Sequence, residues 1–262
     1  MAPDPLGVNR AKARDAIVKA ERSVFAAAWD LLKRWGTRLR NAVFGPARSV
    51  DPAGVFATEP WFARELEPVL VVVEAVWTDA WEDVVGDDAP PETGVYSRQY
   101  LETSRNRLVR VPDTVFASVN RLTMKANSEG WGAAELAEHV QELLDATDSE
   151  QWKGRAETIA RTEAIGAYNA GTFKGFQGLA AQLGGEWEKG WLATEDDRTR
   201  PTHHDADLQR VPLLGHFDVG GYPALFPGDP SLPPQEVINC RCSMLLLRPD
   251  EQINYADRQN RA

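Results

Sequence analysis

Cysteine is almost missing from this chain: among 262 residues there are two, Cys240 and Cys242. A pair one residue apart excludes the disulfide framework of a small secreted protein. Long apolar runs are missing too. The most hydrophobic stretch, Val69 to Val73, is stopped by Glu74 and is far too short to span a bilayer, so no membrane is expected as a partner. The first residues, Met1 to Gly7, carry no basic region followed by an apolar segment, which points to synthesis in a cytoplasm. Neither a Gly-rich phosphate loop nor a Gly-x-Ser-x-Gly elbow occurs, which removes the usual signatures of nucleotide binding and serine hydrolysis. An excess of positive charge is also lacking: the net charge of −10 argues against a general nucleic-acid binder.

The distribution of charge says more than its total. Residues 1–50 carry ten Lys/Arg against four Asp/Glu, whereas residues 51–100 carry two against eleven. Solvated helix faces explain this adequately. The functional reading is that the basic leading segment, residues 10–48, meets an acidic partner, protein or DNA. A hydrophobic content of 43% is ordinary for a globular protein, and the length suffices for one large domain or two modest ones with real cores.

Helical periodicity dominates the first two-thirds. From about Asn9 to Phe44, Ile17, Val24, Ala28, Leu32, Trp35, Leu39 and Ala42 recur at spacings of three, four or seven, and Gly45-Pro46 marks the stop. Such a stripe packs on the protein's own core or serves as a docking arm. Glu59-Pro60 opens a segment to about Val85 that buries Leu66, Leu70, Val73, Trp77 and Trp81, with Pro68 kinking or splitting it. Further helices are expected at Ser97–Val109, from an Asp113 cap to Asn127, at Ala133–Leu144 with His139 at a core edge, and from about Asp148 to Ala181. Within the last, Glu157 and Arg161 are spaced for an i,i+4 pair. The segments 86–94 and 128–132 read as loop and turn. After Gly184-Gly185 the pattern becomes alternating, with Trp187 and Trp191 on one face of a strand, and Cys242–Leu247 reads as a final buried strand. The expected class is α+β: a helical region over 1–130, a smaller domain of one long helix and a small sheet over 131–250, and a polar tail over 251–262.

Chemistry concentrates near the C-terminus, in Trp191, Asp196, Arg198, Arg200, His203, Asp229, Asn239, Cys240, Arg241 and Cys242. A zinc ion could be held by Cys240, Cys242 and His203, with Asp196, Asp205 or another histidine as fourth ligand. The Cys-x-Cys spacing departs from the usual Cys-x2–4-Cys. Two small buried thiols are the plainer account. Arg198 and Arg200, beside Asp196 and Asp197, suit either a phosphate clamp or a loop locked by side-chain hydrogen bonds; the locking role is the better match for a loop without regular structure. Cys240 with His203, oriented by Asp205, could serve as a thiolate pair. The nearest zinc-deaminase signature needs His-x-Glu and Pro-Cys-x-x-Cys, which this chain lacks.

The order of motifs resembles the phage Mu protein F-like family of minor head, or head morphogenesis, proteins. The resemblance rests on Ile159-Ala160-Arg161-Thr162-Glu163, Tyr168-Asn169-Ala170-Gly171, Trp191, Asp196-x-Arg198-x-Arg200-x-x-His203, Phe217, Pro227-Gly228-Asp229-Pro230 and Asn239-Cys240-Arg241-Cys242. It covers roughly Trp131 to Leu247. It implies a structural role in the virion, inside the capsid near the portal, after assembly in the host cytoplasm. The implied partners are the portal protein and the major capsid or scaffold proteins, with roles in procapsid assembly and genome packaging or ejection. Arg161, Glu163, Asn169, Trp191, Asp196, Arg198, Arg200, His203, Asp229, Asn239 and Arg241 carry the pattern over, with the cysteine pair. His204 matches no motif position. Leu208 stands where a glycine commonly follows Ala206-Asp207, and a leucine there is strained if φ is positive. Some relatives carry an enzymatic domain after this module, and no room for one is expected beyond Cys242. The alternative function is a metal-dependent hydrolase or nuclease built on His203, Cys240, Cys242 and Asp196.

Overall fold

Residues Arg10–Phe44 form a single helix, α1, as the apolar spacing predicts. In the computed structural model, which describes residues 10–44, 60–86, 93–145, 150–194, 196–251 and 253, the stripe of α1 is buried: Val24, Leu32, Trp35 and Leu39 are fully shielded. The side chain of Ala42 and the stop Gly45-Pro46 lie outside the described residues. The next two helices are α2, Pro60–Glu65, and α3, Glu67–Val85. They divide at Leu66, because Pro68 has no N–H and its ring displaces the carbonyl four residues back. Leu66, Leu70, Val73, Trp77 and Trp81 are all buried, as their spacing requires.

Helix α4 spans Thr93–Leu108 and begins four residues before the expected Ser97. Helix α5 spans Val111–Glu129, so Asp113 lies inside its first turn and is not the cap. The cap position is Arg110, which makes no side-chain cap bond, and Pro112 in the first turn sets the start instead. Gly130, at φ +73°, ends α5 by donating its N–H to the Ala126 carbonyl. Helix α6, Ala133–Leu144, has the expected bounds, and His139 sits at its edge, 4.4 Å from the Trp131 ring. Helix α7, Glu150–Leu183, is the long helix of the second half.

Five strands and two short helices follow: β1 Glu188–Leu192, α8 Pro201–Asp205, β2 Arg210–Pro212, β3 Phe217–Val219, β4 Tyr222–Ala224, α9 Pro234–Val237 and β5 Ser243–Leu247. The architecture is α+β, with strands confined to the C-terminal part. β1 is central in an antiparallel sheet of order β2-β1-β5, pairing Gly190 with Leu245 on one side and Arg210 on the other. β3 and β4 form a separate hairpin, closed by Gly220 and Gly221 at φ +61° and +85°. Two consecutive positive-φ residues are what a tight two-residue hairpin turn demands.

The chain divides into two compact units, one of residues up to 24, 72–101 and from 160 onward, the other of 25–71 and 102–159. In the second unit Trp35 meets Phe62 edge-on at 5.2 Å and Trp152 at 5.6 Å. The Trp152 indole N–H is satisfied by the Leu143 carbonyl at 2.6 Å, whereas the buried Trp35 indole N–H has no hydrogen-bond partner among the described residues. In the first unit α7 is buried on every side from Thr162 to Phe173, and small residues let neighbours approach. A Cβ at Gly171 would stand 2.2 Å from the Trp77 carbonyl oxygen, so the α3–α7 approach needs glycine there. No helix among the described residues is long and apolar enough to cross a membrane.

Candidate metal centre

The C-terminal cluster is assembled on α7, whose buried face presents polar side chains to the loops. Asn169, 1% exposed, donates both amide hydrogens: to the Pro227 carbonyl at 3.0 Å and the Cys242 carbonyl at 2.9 Å. Seven residues earlier on the same face, the Thr162 hydroxyl accepts the Asn239 N–H at 3.1 Å. Arg161 donates to the Asn239 side-chain oxygen at 3.0 Å. The expected Glu157–Arg161 pair therefore does not form among the described residues. Asn239 itself is at φ +60°, a conformation asparagine tolerates better than most side chains. Glu163 is buried on the same helix. These bonds satisfy backbone groups that the irregular loops cannot pair among themselves.

From Asn239 the chain runs extended into β5, so Cys240 and Cys242 face one way and Arg241 the other. Arg241 reaches Asp196 with both terminal nitrogens, one contact measuring 2.7 Å. Asp196 also accepts from the Arg198 N–H at 3.0 Å. The Arg241 guanidinium holds the Asp196 carboxyl well below the usual carboxylate range. Arg200 donates to the Ile238 carbonyl, and Thr194 to the Arg241 carbonyl at 2.8 Å. Arg200 and Arg241 are therefore engaged with loop groups, and the Arg198 guanidinium lies 3.4 Å from Asp196. Asp229 accepts the Leu225 and Ser231 N–H groups at 2.7 and 2.8 Å.

On the inward side the Cys240, Cys242 and His203 ligand atoms lie within 4.8 Å of one another, all buried. His203 sits on α8, which starts at Pro201 because a proline fits the first turn. Its Nδ1 is 3.3 Å from the Cys242 sulfur and 3.8 Å from that of Cys240. Its Nε2 is 3.1 Å from a Glu236 oxygen, at ion-pair distance though off the hydrogen-bond angle. The Thr202 hydroxyl donates to that carboxylate at 2.8 Å. Trp191 stands edge-on between His203 at 5.7 Å and Phe217 at 5.3 Å and walls the group off. Of the two thiols, Cys242 is pulled well below its ordinary value by the Cys240 hydrogen bond and by His203. The same hydrogen bond, and after it burial, holds Cys240 well above it.

Asp196 does not join this group, contrary to its assignment as fourth ligand, because Arg241 holds it on the opposite side of the strand. Asp205 and His204 are exposed and outside it. Three residues escaped the sequence reading. Glu236 lies 3.1 Å from the His203 Nε2, on a short helix with no periodic signal. Thr162 was read only as a motif letter. Lys189 shares the face of Trp187 and Trp191 and is fully buried, with its ammonium 2.7 Å from the Leu225 carbonyl and 4.4 Å from the Phe173 ring. Burial pulls it down to about 8 against a partial rescue by Asp229. Leu208 is at φ +60°, so the strain anticipated for a leucine there is present.

The class of protein so defined is a helix-and-sheet module whose motif residues tie loops to a central helix. Residues 117–245, just under half of the chain, match the family described as Phage Mu protein F like protein, which supports a phage Mu protein F-like, head morphogenesis assignment. The chain is also similar to the "NAD(+)--arginine ADP-ribosyltransferase EFV" of Enterococcus faecalis (strain ATCC 700802 / V583), at 32% identity over 139 residues. That alignment covers 53% of this chain and 27% of the relative, so the chain spans about a quarter of that curated protein. No solved structure matches.

Proposed function

We propose that this chain is a minor head protein that acts in procapsid assembly beside the portal, inside the capsid, and takes part in genome packaging or ejection. One observation carries the reading: the family match over residues 117–245 contains every element of the interlocked C-terminal cluster. The side chains of that cluster hold loops in place, which suits a rigid building block. The apolar stripe of α1 is covered by the chain's own core. What α1 offers a portal, capsid or scaffold partner is its basic face, where Lys19, Arg22 and Arg38 are exposed. The same face could meet packaged DNA, which predicts binding that weakens steeply with salt.

Hydrolysis is the weaker reading. A metal-dependent hydrolase or nuclease needs an open coordination position that substrate can reach. Here His203, Cys240 and Cys242 are 1–2% exposed.

Co-expression with a phage portal protein, followed by co-purification and mass spectrometry of assembled heads, tests the proposal. A stable complex and its recovery from heads are expected. Separate elution from the portal, with absence from both procapsids and mature heads, overturns it.

A further inference from the structure

We infer that His203, Cys240 and Cys242 form a structural binding site for a thiophilic divalent cation of the zinc class, oriented by Glu236. Four independent features of the geometry support this. The donor set is right: two thiolates and an imidazole are the ligands that select zinc over the hard cations magnesium and calcium. The spacing is right. A tetrahedral ion bonded to sulfur at ~2.3 Å and nitrogen at ~2.05 Å places those two atoms about 3.6 Å apart. The Nδ1-to-sulfur separations of 3.3 and 3.8 Å straddle that edge.

A carboxylate stands behind the histidine as well. Histidines that bind zinc through one ring nitrogen characteristically present the other to a carboxylate. His203 directs Nδ1 at the sulfurs and places Nε2 3.1 Å from Glu236, off the hydrogen-bond angle, and Thr202 pins that carboxylate at 2.8 Å. Finally, the site is preformed rather than accidental. The Cys242 carbonyl is held by Asn169 at 2.9 Å and the Asn239 N–H by Thr162 at 3.1 Å, so the strand bearing both thiols is fixed from α7. No fourth His, Cys, Asp or Glu among the described residues joins the three, so the protein would leave the fourth position of a bound ion to an outside donor such as water. Burial of the ligands makes the ion a staple between α8 and the start of β5, not a reaction centre.

The test uses the full chain, purified under reducing conditions, stripped with chelator, and titrated with Zn2+ and Co2+. About one ion per chain is expected. Because Cys240 and Cys242 are the chain's only cysteines, a sulfur-to-cobalt charge-transfer band can arise nowhere else. Tetrahedral d–d bands should accompany it. The double variant Cys240→Ser/Cys242→Ser should lose both the ion and the band. Glu236→Gln should keep the band but weaken affinity about 10- to 100-fold. If chelator unfolds the chain, the reading is supported, provided that Zn2+ restores it. A stripped, reduced chain that stays folded by circular dichroism and takes up neither ion with thiolate bands overturns the inference. The trio is then a metal-free hydrogen-bonded cluster. Should the double variant fail to fold, the cobalt spectrum of the unaltered chain decides alone.

Discussion

The Trp35–Phe62–Trp152 centre and the Asn169–Asn239–Cys242 centre stabilise their surroundings by opposite means. The first is apolar: interlocking rings on regular helices, with one indole hydrogen bond to an outside carbonyl. The second is polar: side chains on a single helix hold backbone groups of loops that make few regular bonds of their own. The difference teaches where each kind of information resides. An apolar centre is specified redundantly by spacing, so many side chains would serve. A polar centre is specified by individual donors and acceptors, and one wrong atom leaves a buried group unpaired.

The largest expected effect tests the apolar side. Trp35→Ala should lower the unfolding free energy by about 3–5 kcal/mol, as large-to-small changes at fully buried aromatic sites do. Denaturant titration measures it, and a loss below about 1 kcal/mol would mean that the ring does not organise this centre.

Lys189 sharpens the contrast, because a buried ammonium belongs to neither scheme. Its folded value near 8 lies below the ordinary 10.5, so the folded chain binds fewer protons than the unfolded one between those limits. The contribution of Lys189 is therefore greatest above 10.5 and is lost as pH falls through 8. Relative to Lys189→Met, the wild-type chain should gain roughly 3 kcal/mol of stability as the pH rises across that window. Parallel stability curves for the two proteins would show that Lys189 is not held in a poorly solvated site.

The smallest effect runs the other way. Leu208→Gly should stabilise the chain by up to about 1 kcal/mol, because relief of a left-handed leucine is partly offset by the greater freedom of glycine when unfolded. Thermal melting reads it; a lower melting temperature would show that the Leu208 side chain packs well enough to outweigh its strain.

Much of the first scheme was legible in the sequence. The stripe of α1, the division at Pro68 and the bounds of α6 follow from periodicity and from the missing proline N–H. The start of α5 was misplaced because no side chain caps it and Pro112 in the first turn sets it instead. Of the second scheme only the participants were visible. Asn169, Asn239 and Arg241 were identified through the family resemblance, but no spacing rule relates Asn169 to a carbonyl 73 residues away. Asp196 was assigned to the metal because carboxylates ligate. Its orientation is set by Arg241 across the strand, which only the folded register reveals. Lys189 was overlooked for a related reason: alternation puts it on the face of Trp187 and Trp191, but the carbonyl that receives its ammonium lies 36 residues away.

The most direct test of the polar scheme is the unfolding free energy of Asn169→Leu. This change keeps the number and branching of heavy atoms and removes the two donors together with an amide oxygen that has no hydrogen-bond partner among the described residues, leaving the Pro227 and Cys242 carbonyls without that partner. A loss of about 2–4 kcal/mol is expected for the two buried bonds together, with weakened near-ultraviolet signals from Trp191. A loss within about 0.5 kcal/mol of zero would contradict the account, because that is the range of a substitution touching no critical contact.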